Sequence, residues 1–171
     1  KVFLVARMLR DKGILEFIDA YEFLKNKKIE CRFILVGDTD PLNPSSIKES
    51  FLKRCHKEKK IEWLGWVDDI GKILLEADIL CLPSYREGLP KSLIEAASSG
   101  LPIITTDVVG CRQMVPSEDY GFLVKAKSTE SLFKSYCKVV ENRSLLLNIS
   151  RNNRKRAEEE FSQDFISYQY E

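Results

Sequence analysis

The stretch REGLPKSLIEAASSGLPIITTD, residues 86–107, places two carboxylates, Glu87 and Glu95, on either side of what reads as a helix start. Gly88 and Pro90 signal a tight turn, and Leu93, Ile94, Ala96 and Ala97 fall on the buried side of the helix that follows. A helix start presents backbone N–H groups with no intrahelical partner, and it attracts anions such as phosphate. Leu89 and Lys91 have amides to donate there, Pro90 has none, and Gly88 lets a ligand approach the main chain. Acids beside an anion site make sense if they bind something other than the anion. A carboxylate accepts hydrogen bonds from two neighbouring hydroxyls, as a ribose or a hexose presents them. Arg7 and Lys12, in ARMLRDKGILEF (6–17), would then neutralise a diphosphate lying between the sugars, Arg as a fork and Lys as a point charge.

Each residue also has a plainer reading. Arg7 and Lys12 are ordinary surface cations beside Arg10 and Asp11, and residues 88–91 are a common loop-to-helix turn. Glu95 pairs with Lys91 one turn earlier, and Glu87 sits on the helix dipole.

Other chemistries lack their residues. No G-x-G-x-x-G follows the first apolar run and no G-x-x-x-x-G-K-[ST] occurs, so neither a dinucleotide fingerprint nor a P-loop is present. The five cysteines, Cys31, Cys55, Cys81, Cys111 and Cys137, are scattered and form no C-x-x-C pair, which points to reduced thiols. His56 is the only histidine and lies in a charged stretch, so neither a zinc site nor a histidine-dependent triad is expected. A net charge of +1, from 27 basic and 26 acidic residues, gives no reason to expect nucleic acid as a partner. There is no apolar run long enough for a membrane span and no signal peptide, so a cytoplasmic location is expected. The charge run RNNRKRAEEE (151–160) reads as a solvated helix face; a patch on anionic lipid is the lesser alternative.

The elements that must position the site alternate. Apolar runs at 2–6, 31–38, 61–67, 78–84, 101–107 and 121–126 read as strands. Helical spacing covers 13–26, 44–59, 68–77, 90–99, 128–141 and 143–160, with Pro44 at the start of the second and Asn142 separating the last two. This predicts an α/β Rossmann-like domain, a parallel sheet of about six strands with helices on both faces. In such a sheet ligands bind at the carboxyl ends of the strands. Arg7, Gly37, Asp38, Val67, Glu87, Thr106 and Asp107 all fall there.

With these residues in place, the chain resembles the family-4 (group 1) retaining glycosyltransferases of GT-B fold. Glu87, seven residues, then Glu95, a small-residue helix and the strand GLPIITTD match that family's signature. ARMLRDKG resembles its G-R-L-x-x-x-K-G segment, WLGWVDDI its F-x-G-x-V-x-D segment, and DVVGCRQMV its loop after the fifth strand. The resemblance implies that Arg7 and Lys12 bind the donor diphosphate, that Glu95 accepts from ribose hydroxyls, and that Glu87 acts as the catalytic contact to the transferred sugar. The amides of Gly88, Leu89 and Lys91 would surround sugar and phosphate, and the main chain near Val67 would face the base. It further implies retaining transfer by front-face attack assisted by the leaving phosphate, with no cofactor or metal beyond the nucleotide-sugar co-substrate. Ala6 and Pro90 depart from the common glycines and resemble bacterial enzymes of surface-polysaccharide or lipid-linked oligosaccharide synthesis. Those enzymes often use UDP-N-acetylhexosamine-type donors.

On this resemblance residues 1–171 are one nucleotide-sugar-binding domain, the C-terminal half of a GT-B enzyme. The chain opens on the apolar KVFLVAR without an initiator Met, which suggests a domain cut from a longer protein, and the resemblance implies that such a donor half is inactive or nearly so in isolation. A missing N-terminal half would present the glycan or lipid-linked acceptor, with peripheral contact of the full enzyme at the inner membrane face. Residues 161–171 resemble a return helix, loose without that half. The competing expectation is a non-catalytic α/β ligand- or protein-binding module. A receiver domain fits poorly because residue 7 is Arg, and a sugar-nucleotide epimerase because His56 is badly placed.

Overall fold

A computed structural model describes residues 1–161. Six short strands, β1 (Val2–Val5), β2 (Phe33–Val36), β3 (Glu62–Trp63), β4 (Ile79–Leu82), β5 (Ile103–Thr106) and β6 (Gly121–Val124), form one sheet in the order β3-β2-β1-β4-β5-β6. Every neighbouring pair is parallel. The winding direction reverses between β1 and β4, so the sheet has its topological switch point there.

The strands read as unbroken apolar runs because both faces are covered. Val2 and Leu4 of β1 pack on one side and Phe3 on the other; Phe33 and Leu35 of β2 alternate with Ile34 and Val36 in the same way. The helices α1 (Ile14–Asn26), α2 (Glu49–Lys57) and α6 (Thr129–Glu141) cover the first face, where Phe17, Leu52 and Tyr136 are buried. The second face is covered by α3 (Ile70–Leu74), α4 (Lys91–Ser98) and α5 (Val109–Met114), through Leu74, Leu93 and Cys111. The last helix, α7 (Arg143–Glu160), contributes Ile149 to one core and Ala157 to the other. Asn142 caps its start by accepting from the Leu145 amide.

Where α7 crosses the strand ends, the buried Asn153 side chain donates to the carbonyls of Leu101 (2.8 Å) and Tyr120 (3.0 Å). Asn153→Leu orphans both acceptors and is expected to lower unfolding free energy by about 1–3 kcal/mol. Chemical denaturation should show the loss.

Three sequence expectations are corrected. The helix expected over 44–59 begins only at Glu49. Residues 45–47 hydrogen bond to residues 8–10 instead, through Arg10 N to Ser45 O (2.8 Å) and Ile47 N to Met8 O (2.8 Å), and Leu9 bridges Ser46. These tertiary bonds and the burial of Ile47 outweigh local helical spacing. The strand expected over 61–67 shortens to β3, since the chain turns at Gly65 with φ 67°. The segment after β5, left without a helix by its spacing, forms α5. The expected return helix lies almost wholly outside the described residues.

Candidate active-site cleft

The site is built where β1, β2 and β4 end. Beyond Val5 the chain leaves the sheet and makes a single 3-10 turn, Arg10–Lys12. Gly13 then adopts φ 72°, and a Cβ on it would lie 2.2 Å from the Pro83 carbonyl oxygen. Only glycine lets the start of α1 press so closely on the end of β4. The Asp11 carbonyl accepts from Ser84 Oγ (2.9 Å) and the Tyr85 amide (2.8 Å), stitching the two segments together. Lys12 Nζ consequently meets Glu87 Oε1 at 2.6 Å, with the two side chains 23% and 10% exposed.

Around this pair the polar contacts are dense. The Ser45 hydroxyl donates to Asp11 Oδ1 (2.5 Å) and Arg86 Nη2 lies 3.1 Å from Oδ2. The Ser45 hydrogen bond, then Arg86, holds the Asp11 carboxyl below its ordinary value of 3.8. The contribution of Asp11 to stability is therefore complete above that value and lost as pH falls through the lowered one. The Tyr85 hydroxyl donates to Glu16 Oε1 (2.6 Å); burial, and then that carboxylate, push the phenol well up and keep it neutral.

On the other side of Glu87, α5 packs against the loop's backbone. A Cβ on Gly110 would lie 1.7 Å from the Gly88 carbonyl oxygen and 2.6 Å from that of Glu87. Pro90 is the N-cap of α4 and Lys91 its first residue, one position later than the spacing predicts. The amides of Gly88, Leu89 and Lys91 have no acceptor among the described residues.

One cleft of about 1310 Å³ collects these features. That is ample for a ligand the size of a nucleotide sugar, since ligand pockets run to roughly 300–1,000 Å³. Of the residues singled out from sequence, Arg7, Lys12, Val67, Glu87, Leu89, Lys91 and Glu95 line it. Gly88 stands between two of them at the rim, exposed, with no atom within 4 Å of where a Cβ would be. Gly37 and Asp38 line the cleft too. Thr106 and Asp107 do not. Thr106 is buried and its hydroxyl donates to the Ser84 carbonyl, while Asp107 pairs with Arg112 at 2.6 Å.

The plainer pairing of Glu95 with Lys91 also exists, at 3.4 Å, but leaves Glu95 in the cleft wall. Sequence reasoning missed Asp40, whose Oδ2 lies 2.8 Å from Arg7 Nη1. It also missed the exposed Trp66 and Leu42 at the rim and the packing role of Gly110. GDTDPLNP announces a turn, but nothing in its spacing ties residue 40 to residue 7.

The buried thiols are inert; burial pushes Cys81 up to about 12 and raises Cys111 as well. Among the described residues no helix is long and apolar enough to cross a membrane, and no three His, Cys, Asp or Glu side chains cluster to hold a metal ion.

A doubly wound parallel sheet with its cleft at the switch point defines a Rossmann-like α/β architecture. The chain belongs to the family described as glycosyl transferases group 1, whose sequence profile matches residues 1–142. It is 34% identical over 151 residues to the N,N'-diacetylbacillosaminyl-diphospho-undecaprenol α-1,3-N-acetylgalactosaminyltransferase of Campylobacter jejuni, matching 88% of this chain and 38% of that protein. It is 30% identical over 152 residues to an Escherichia coli UDP-Gal:α-D-GlcNAc-diphosphoundecaprenol α-1,3-galactosyltransferase, again 88% of this chain and 38% of the relative. The chain thus spans well under half the length of these relatives. The fold matches that of Anabaena HepE in complex with UDP, with TM-score 0.88, 23% identity, and coverage of 99% of this chain and 46% of HepE.

Proposed function

We propose that this chain binds the nucleoside diphosphate sugar donor, with UDP as the nucleotide, of a retaining glycosyltransferase. A hexose or N-acetylhexosamine would pass from it to a glycan or lipid-linked acceptor presented by another part of the protein. The observation that carries this is the convergence of Arg7, Lys12, Glu87 and Glu95 on one cleft at the carboxyl ends of the strands. The cations suit a diphosphate, and the three partnerless amides at the start of α4 add donors for the same anion. Glu95, about one turn into α4, suits a pair of ribose hydroxyls, and Glu87 the transferred sugar. In this reading protein cations carry the charge balance without a metal ion. The names of the relatives, which act on diphospho-undecaprenol-linked sugars, favour an acceptor of that class. A lipid-linked acceptor would bring the full protein to a membrane face.

The reading is tested by calorimetry. UDP should bind the chain, and Glu95→Ala should weaken it about 10- to 100-fold, the value of hydrogen bonds to a charged group. No UDP binding at millimolar concentration would overturn it.

A further inference from the structure

Of the two cations that follow β1 into the cleft, Arg7 is the more open, with its side chain 63% exposed against 23% for Lys12. It is nevertheless already engaged, by Asp40 Oδ2 at 2.8 Å. Asp40 is held there by its backbone. Its amide donates to Ser46 Oγ (3.1 Å), and its carbonyl accepts from the Asn43 amide (2.9 Å). The Asp38 carbonyl accepts from Met8, the residue after Arg7 (2.9 Å). The loop after β2 is laced to the segment after β1, and that lacing delivers a carboxylate to the guanidinium. A pair this exposed adds little to folding stability, so its consequence falls on whatever else seeks Arg7.

The cleft as a whole supports the same direction. Three cations and six carboxylates line it, so an entering anion meets a wall richer in negative than in positive charge. A singly charged ligand gains nothing by replacing one carboxylate with another. A phosphate that carries up to two charges and several acceptor oxygens does gain, and can engage the guanidinium fork in Asp40's place.

We infer that Asp40 is an internal counter-ion of Arg7 that an entering phosphate group must displace. It sets donor affinity and discriminates against weaker anions. The ligand class rests on the donor reading above; the ion exchange itself needs only a phosphate.

The test titrates the 171-residue chain with inorganic pyrophosphate and with UDP, by calorimetry at constant ionic strength. Asp40→Asn keeps the backbone bonds and removes the charge. It is expected to bind both probes about two- to five-fold tighter, as release of one exposed ion pair allows. With Arg7→Ala in place, the same substitution should have a much smaller effect. Equal or weaker binding by Asp40→Asn overturns the inference, because Asp40 then orients Arg7 for the ligand. An undiminished gain in the Arg7→Ala background overturns it too, and so does the absence of pyrophosphate binding to both proteins. Tighter pyrophosphate binding with no UDP binding to either keeps the role of Asp40 and refutes the nucleotide reading alone.

Discussion

Gly110→Ala is expected to lose both stability and nucleotide binding. The new methyl group would have to share space with the Gly88 carbonyl oxygen, 1.7 Å away, and with that of Glu87 at 2.6 Å. Both obstacles are backbone, so relief requires α5 or the 87–88 loop to move. Overpacking of this kind costs about 1–3 kcal/mol, which for a domain of this size lowers the thermal midpoint by about 2–12 °C. The displaced loop is the one that carries Glu87 to Lys12 and precedes the partnerless amides of α4. UDP binding by calorimetry should therefore fall by at least the tenfold expected of a single lost charged contact. Gly88→Ala is the control. No atom lies within 4 Å of its Cβ position, so stability should stay within about 0.5 kcal/mol while a ligand at the rim is obstructed. If Gly110→Ala melts like the parent and binds UDP normally, the loop does not depend on α5.

Glu87→Gln is the second large effect. It removes the counter-charge from Lys12, whose ammonium sits 2.6 Å from Oε1 with about a quarter of its side chain in water. Fully buried pairs lose about 3–5 kcal/mol when one partner goes, so a loss of about 1–3 kcal/mol is expected at this exposure. Binding should divide by ligand. If Glu87 holds the transferred sugar and Lys12 the diphosphate, UDP binds the variant at least as well as the parent, because Lys12 is released. The extra affinity of a UDP-sugar over UDP should vanish. Parallel loss of both ligands would move Glu87 from the sugar to the phosphate side.

Much of this site could be read in advance, for a definite reason. Glu87, Gly88, Leu89, Lys91 and Glu95 share one turn and one short helix, so their mutual placement is a local matter of helix start and 3.6-residue spacing. The strands were legible because burial on both faces leaves unbroken apolar runs, and alternation with helical spacing implied the parallel sheet. The topology then put Arg7 and Lys12, after β1, at the same sheet end as the 87–95 segment after β4. The helix expected at 44–59 failed at its start for the opposite reason. Residues 45–47 satisfy their backbone on residues 8–10, a choice no local pattern encodes.

Local pattern by itself thus determined the fold class, the strand-end location of the cleft and the residue types around it, because secondary-structure periodicity and turn chemistry are written in neighbouring positions. Tertiary structure alone decided which charges meet. Lys12 pairs with Glu87 because Asp11 is hydrogen-bonded to residues 84 and 85. Arg7 pairs with Asp40 because the loop after β2 is laced to the segment after β1. Ion pairs and close backbone contacts such as Gly110 on Gly88 depend on distance in space. Distance between residues far apart in the chain is set by how the layers pack.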